Sequence, residues 1–423
     1  MSKFIFLCLP AHGHINPTLA MAQELIDRGE DVVYYQTNDF RPKIEATGAT
    51  FRTMNFQMPG QKGSPKFNAG DLIKQIVTSP VQMVQTGKTV VPDENFLAAR
   101  IQLAAEISEK VIPFLIEKIR EEKADCLLFD RMFLWAKQIA HTLKIPAIAL
   151  SPTYVANEHL GINTRTAPAE ADLITVREEL LAGKNNNSAA LPRNMKGNFA
   201  QLALQPAEQL VIVFLPRAFQ TNGDAFDKHF LFVGPSFKHH RDESGDFPLD
   251  RLGRHPVLYI SLGTIVGNQE AFYDMCFKAF GNTEWTVVMS IGEKTNPESL
   301  GDIPLNFITA PRVPQLKILQ RSDLFISHGG MNSTMESLYF GVPLIVIPQQ
   351  YEQEITAGRV QELELGIALD KNALTPALLS KSVWQVANTP SYRENAKRMR
   401  EAISEAGGYK RAIDEIIKLI HSH

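Results

Sequence analysis

Two loops of the 423-residue chain hold residue types able to move protons and bind anions. The first, Pro10-Ala11-His12-Gly13-His14-Ile15-Asn16-Pro17, directly follows an apolar run at 4–9. Histidine titrates near neutral pH, so one placed at the carboxyl end of a strand can take a proton from a hydroxyl. Position alone leaves His14 divided between that role and a structural one. For His12 the structural role is expected. The pair occupies the turn where a dinucleotide-binding fold keeps the glycines of G-x-G-x-x-G, which speaks against NAD or FAD at this loop. The second loop is Ser327-His328-Gly329-Gly330-Met331-Asn332-Ser333-Thr334. Its glycines let backbone approach a ligand closely. Asn332, Ser333 and Thr334 place side-chain donors in a first helical turn, whose N–H groups attract an anion. A tight turn with an ordinary cap is the competing explanation. A further glycine turn, Ser261-Leu262-Gly263-Thr264, follows another expected strand and could converge on the same anion.

Such loops need strands and helices to hold them. Short apolar runs alternate with helix-patterned segments along the chain, the pattern of parallel sheets with crossover helices. Strands are expected at 4–9, 31–37, 126–130, 147–151 and 210–215 in the first half, with a helix at 17–28 closed by Gly29. The second half should carry strands at 257–261, 286–290, 306–309, 324–327 and 343–347, and a helix at 331–340 ending at Gly341. Residues 234–252, with two prolines, two glycines and mixed charge, read as a linker. Segments 59–80 and 182–197 read as surface excursions. The expected fold is α/β, with two Rossmann-like domains facing each other across a cleft and ligands at the carboxyl ends of the strands. The expected division is a first domain at 1–235, a linker at 236–252, a second domain at 253–400 and a C-terminal helix at 401–423 packing back toward the first domain. In that helix Ile413, Ile416, Ile417 and Ile420 recur at helical spacing. Such a face is expected to dock on the protein's own surface rather than on a membrane.

Composition narrows the classes. With 43 Lys+Arg against 46 Asp+Glu the net charge is -3, which argues against a nucleic-acid binder. No run approaches the ~20 apolar residues of a membrane helix, and the run at 4–9 is too short for a signal-peptide core. Cys8, Cys126 and Cys276 lie far apart without a C-x-x-C pair, so neither a disulfide framework nor a structural zinc site is indicated. A cytoplasmic protein, monomeric or weakly dimeric, with no nucleic-acid or membrane partner is expected, and composition says nothing of its chemistry.

The run 313–353, VPQLKILQRSDLFISHGGMNSTMESLYFGVPLIVIPQQYEQ, resembles the nucleotide-sugar signature of the UDP-glycosyltransferases of the GT-B fold, most closely their bacterial macrolide-glycosyltransferase branch. Gly13-His14-Ile15-Asn16-Pro17 is similar to the same family's catalytic loop. Ser261-Leu262-Gly263-Thr264 and Phe232-Val233-Gly234-Pro235 also match in order and spacing, so the resemblance spans nearly the whole chain.

The resemblance implies His14 as general base and Asp130 as the acid that orients it, although Asp130 on its own residues reads as a helix cap. It implies a diphosphate cradle of His328, Gly330, Asn332 and Ser333, with Thr264 nearby. Glu336 is implied as the acceptor for ribose hydroxyls, Val313 and Gln315 as base and ribose contacts, and Glu352 with Gln353 as the grip on the sugar. Arg312 stands where many relatives carry a tryptophan that stacks on uracil; a guanidinium plane can also stack on a base. UDP is therefore expected, with dTDP open. Glu352 stands where aspartate is common, and glucose is the expected sugar.

The implied reaction is inverting transfer of a sugar from a UDP-sugar to a hydroxyl of a small apolar, aromatic or macrolide-like acceptor. No metal and no permanently bound cofactor are expected: a helix N-terminus with His328 would stabilise the departing diphosphate, and the chain contains no Asp-x-Asp. The alternatives are a catalytically silent nucleotide-sugar binder, a GT-B enzyme of other chemistry such as an epimerase, and a hydrolase. Acceptor contacts are expected within 56–85 and 153–198.

Overall fold

The computed structural model describes residues 1–54, 57–58, 67–68, 83–86, 89–92, 111–133, 135–155, 209–238, 247–253, 255–263 and 269–422. The chain divides into two compact units. One comprises Met1–Phe214, Ala225–Ser236 and Tyr409–His423; the other comprises Leu215–Asp224 and Phe237–Gly408.

The first unit is built on seven parallel strands. In chain order they begin with β1 (Lys3–Leu7), β2 (Asp31–Gln36) and β3 (Thr50–Thr53). Two short antiparallel ladders follow, β4 (Gln57–Met58) with β5 (Phe67–Asn68) and β6 (Met83–Thr86) with β7 (Thr89–Pro92). The sheet resumes with β8 (Cys126–Asp130), β9 (Ala147–Ser151), β10 (Val211–Val213) and β11 (Phe230–Phe232), in the spatial order β11-β10-β9-β8-β1-β2-β3. Helices on both faces make the strands near-continuous apolar runs: Phe4, Ile5, Phe6 and Leu7 of β1 are all buried. Across β1 and β2, Phe6 stacks on Tyr34 with centroids 5.2 Å apart. Helix Gly408–His421 sets Ile413 and Ile416 into this same core, with Ile417 and Ile420 packed at its margin. Arg28 anchors that helix through Asp414 at 2.6 Å.

The second unit repeats the plan with six parallel strands. These are β12 (Val257–Ser261), β13 (Thr286–Ser290), β14 (Phe307–Ala310), β15 (Leu324–Ser327), β16 (Leu344–Val346) and β17 (Gly366–Ala368). Their order is β14-β13-β12-β15-β16-β17. Both sheets start in the middle, grow to one side and then reverse. The reversal falls between β1 and β8 in the first sheet, and between β12 and β15 in the second. A crevice opens at the carboxyl ends of such a pair because the two following helices leave on opposite faces.

Three departures from the sequence expectations have physical causes. β3, β11 and β17 were not foreseen; each is an edge strand of three or four residues, too short to show a period and held by one neighbour. The first helix runs over His12–Asp27 and begins before Pro17, not at it. Its opening turn closes through the Ala11 carbonyl, which accepts from the His14 and Ile15 amides. His14 is therefore a residue of the first helical turn. Finally, residues 215–224 pack with the second unit although strands on either side of them belong to the first. Helix Pro390–Glu405 also belongs to the second unit, and the last passage between units lies at Gly407 and Gly408, both at positive φ.

Candidate active site

At the reversal of the first sheet, register does the positioning. β1 pairs with β8 so that Leu7 lies level with Phe129, which brings the residues just beyond both strands to one edge. There His14 Nδ1 lies 2.5 Å from Asp130 Oδ2. Asp130 is 1% exposed and ends a strand whose residues are all buried. Its other oxygen, Oδ1, accepts the Met132 amide at 2.8 Å. The carboxylate thus closes the turn after β8 rather than capping helix Trp135–Leu143, and it also receives the imidazole. A carboxylate facing Nδ1 holds the proton on that nitrogen and leaves Nε2 as the basic one. The His14 side chain keeps 19% of its surface exposed, enough for a substrate to reach it.

Around this pair the interior is closed. Cys8, fully buried, is pushed up to about 12, first by burial and then by the charge of Asp130, so its thiol stays protonated. Thr18 Oγ1 and Tyr34 Oη lie 2.7 Å apart in the same buried layer. His12 is exposed and sets its ring edgewise against Phe40 at 4.9 Å, in keeping with a structural role.

The reversal of the second sheet holds a different histidine. Ser261 and Ser327 end β12 and β15 in register, and each hydroxyl accepts an amide two residues on, from Gly263 and Gly329. His328 lies between the two glycine turns. A Cβ built at Gly263 would come within 2.8 Å of its ring, and one at Gly330 within 2.5 Å. Both glycines are therefore required by the imidazole, beyond any need of a ligand. Gly329 has φ +84° and faces Val346 at 2.6 Å from the position of a Cβ. A side chain there would be both strained and obstructed.

Burial pushes His328 down to about 4; the Ser261 backbone carbonyl opposes the shift weakly. That carbonyl makes no well-formed hydrogen bond to Nδ1, which is enclosed without a partner. Burial thus favours the neutral imidazole near neutral pH, which offers an N–H dipole rather than a charge. Helix Met331–Tyr339 starts beside it, with Gly330, which has no side chain to cap with, as its N-cap.

Further residues expected at this site form a connected set. Gln315 Nε2 donates to Glu336 Oε2 at 2.5 Å and to Ser333 Oγ at 3.3 Å. Glu336, 7% exposed, has its carboxylate held by this amide. Tyr259 Oη donates to the Gln315 carbonyl at 2.9 Å. Nothing in the sequence singled out Tyr259, because within VLYIS it reads as one more core residue of a buried strand.

Gln353 closes the start of helix Tyr351–Glu362 by accepting the Gln349 and Gln350 amides at 2.8 and 3.2 Å. Its backbone carbonyl lies 3.3 Å from where a Gly329 Cβ would stand, so the two turns adjoin. Glu352 is exposed, whereas Val313 and Asn332 are partly buried. Arg312 is exposed and pairs with Glu293 at 2.7 Å. Thr264 lies outside the described residues, as do most of 56–85 and 156–198. Among the described residues no three His, Cys, Asp or Glu side chains converge as metal ligands, and no helix is long and apolar enough to cross a membrane.

Two parallel sheets, each with polar side chains gathered at its reversal, define a protein of two Rossmann-like α/β units, and comparison with known proteins gives its class. Residues 275–412 match the family described as "Erythromycin biosynthesis protein CIII-like, C-terminal domain". The chain is 38% identical to the NDP-glycosyltransferase YjiC of Bacillus licheniformis, covering 96% of this chain and 95% of that protein. It is 29% identical to the oleandomycin glycosyltransferase of Streptomyces antibioticus over 96% of this chain and 88% of that one. Among solved structures, CalG4, "the Calicheamicin Glycosyltransferase", aligns with a TM-score of 0.74 at 26% identity, covering 99% of this chain and 98% of that one. The chain belongs to the NDP-glycosyltransferase family and has the GT-B fold. It is a glycosyltransferase that uses a nucleotide sugar.

Proposed function

We propose that the chain transfers a hexose, glucose by preference, from a UDP-sugar to a hydroxyl of a small apolar, aromatic or macrolide-like acceptor, with inversion at the anomeric carbon. The observation that carries this reading is the 2.5 Å contact between His14 and the buried Asp130 at the reversal of the first sheet. An alcohol is a poor nucleophile until its proton leaves as the new bond forms. With Nδ1–H committed to Asp130, Nε2 of His14 is the base that takes that proton. Asp130 then stabilises the imidazolium it has oriented. The oxygen displaces the nucleoside diphosphate from the anomeric carbon, so a single step turns an α-linked donor into a β-glycoside.

Charge grows on the diphosphate as it departs. The N-terminus of helix Met331–Tyr339, the His328 N–H and the hydroxyl and amide groups of Ser333 and Asn332 are the groups assigned to it, with Gly330 letting the backbone approach. Thr264 would add a hydroxyl. Glu336 receives the ribose diol, Val313 and Gln315 border the base and ribose, Arg312 stacks on the base, and Glu352 with Gln353 holds the sugar. No metal is assigned a role, and the active form is a monomer or weak dimer in the cytoplasm. Product analysis with UDP-glucose, dTDP-glucose and a panel of phenols and macrolides tests the reading. β-Glucosides formed from UDP-glucose support it. An α-glycoside, or free glucose released without an acceptor product, would overturn it.

A further inference from the structure

Buried under the nucleotide-facing residues is a chain of groups whose donor and acceptor ends can be satisfied in only one direction. Tyr259 is 1% exposed in the middle of β12. β12 and β15 are paired with Tyr259 level with Phe325, and the two rings stack with centroids 4.5 Å apart and planes 8° from parallel. Strand register therefore fixes the ring, and the ring fixes its hydroxyl. That hydroxyl donates to the Gln315 carbonyl oxygen at 2.9 Å, while the Gln315 amide nitrogen donates to Glu336 at 2.5 Å and to Ser333 at 3.3 Å.

A carboxylate only accepts, and an amide has one accepting and one donating end. Turned over, the amide would press its carbonyl against a buried carboxylate and leave its NH2 facing the tyrosine. In a setting of low dielectric the first change is costly, whereas the phenol oxygen could accept the NH2, so the carboxylate sets the sense of the amide and the tyrosine hydroxyl its position. We propose that Tyr259 is a positioning residue for nucleotide recognition: its hydroxyl locks the Gln315 amide so that Glu336 is aimed to receive the ribose diol. The inference rests on the proposed role of Glu336. It adds a residue, remote from the ligand-contacting set, that decides how well that role is performed.

Calorimetric titration of the full-length protein with UDP and with 2′,3′-dideoxy-UDP tests it, since the ratio of the two affinities reports on the ribose contact alone. In Tyr259→Phe only the hydroxyl is lost. UDP affinity should fall about three- to tenfold, the worth of one well-placed hydrogen bond, with little change for the dideoxy compound. With donor saturating, kcat should stay within about twofold of wild type, because a binding contact is lost rather than a transition-state one. Phe325→Leu removes the stacking but keeps the hydroxyl; it should lower thermal stability and leave most of the affinity ratio in place. Glu336→Gln calibrates the assay by losing the ratio. An unchanged ratio in Tyr259→Phe beside a lost ratio in Glu336→Gln overturns the positioning role. An unchanged ratio in Glu336→Gln overturns the ribose assignment itself, and the inference with it.

Discussion

The two sheets reverse direction in the same way, and at each reversal a histidine lies just past the carboxyl end of a strand, yet their surroundings are opposite. His14 meets a buried carboxylate at 2.5 Å. His328 is set between two glycines, its Nδ1 enclosed without a partner, and burial pushes it down to about 4. The first arrangement ties the ring to a carboxylate; the second, by burial, resists a proton. Topology brings each histidine to a strand end, and the immediate neighbours decide whether its ring is paired with a carboxylate or buried between glycines. Glycine is the means in the second sheet: with a Cβ at residue 263 or 330 the ring could not occupy its site.

The comparison is broken most directly at His14. Replacing it with alanine should lower turnover by roughly 10²–10⁴, the usual worth of a general base, while UDP affinity stays near wild type. Phenols should lose less than alcohols, because some phenolate already exists at mildly alkaline pH. Wild-type turnover on alcohols in this variant would move the base elsewhere and erase the contrast.

For His328 the contrast is a matter of pH. Its folded pKa lies below the unfolded value, near 4 against 6.5, so between those values the unfolded chain binds the extra proton. Its contribution to stability is whole above pH 6.5 and is lost as pH falls toward 4. At 1.36 kcal/mol per unit the full loss is about 3 kcal/mol. Urea unfolding of wild type and His328→Asn at pH 7.5 and 4.5 measures it: the variant should lose distinctly less stability on acidification. Equal losses would mean that the imidazole is not held neutral.

Glu336→Ala sharpens the nucleotide side. A buried carboxylate that accepts ribose hydroxyls contributes about 1.5–3 kcal/mol, so UDP should bind about 10- to 150-fold more weakly, with acceptor preference unchanged. Unaltered affinity in calorimetry would remove Glu336 from the site.

The smallest expected effect is none. If the helix N-terminus and neutral donors of the second sheet suffice for the departing diphosphate, activity persists in EDTA. A complete loss reversed by magnesium would show that an ion does this work, and the neutral crevice would then be only half of the diphosphate site.

Much of the architecture was legible in the sequence, because strands covered on both faces are continuous apolar runs whatever their neighbours. Cys126–Asp130, Ala147–Ser151, Val257–Ser261, Thr286–Ser290 and Leu324–Ser327 begin and end where their residues indicated. The edge strands β3, β11 and β17 were not legible, since pairing with a single neighbour defines them rather than any pattern of their own. The early start of the first helix escaped for a related reason. Gly13 and Pro17 read as turn residues, while the helix His12–Asp27 forms through them and contains Pro17. Local propensity was outweighed by the burial of Ile15, Leu19 and Met21 against the sheet.

The sequence by itself determined which residue types stand at the two strand ends, because a motif is a matter of spacing along the chain. It placed His14, Asp130, His328 and Glu336 at or near the ends or starts of elements. Only the tertiary structure decided their immediate neighbours. Asp130 reaches His14 across 116 positions of sequence because β8 lies beside β1. His328 is enclosed by two glycines, 67 positions apart in the chain, and burial pushes it down to about 4. Tyr259 is held for its bond to Gln315 by the pairing of β12 with β15, which stacks its ring on Phe325. A proton's affinity for a side chain depends on the charges, dipoles and solvent within a few ångströms, and in a parallel α/β sheet those neighbours come from distant parts of the chain.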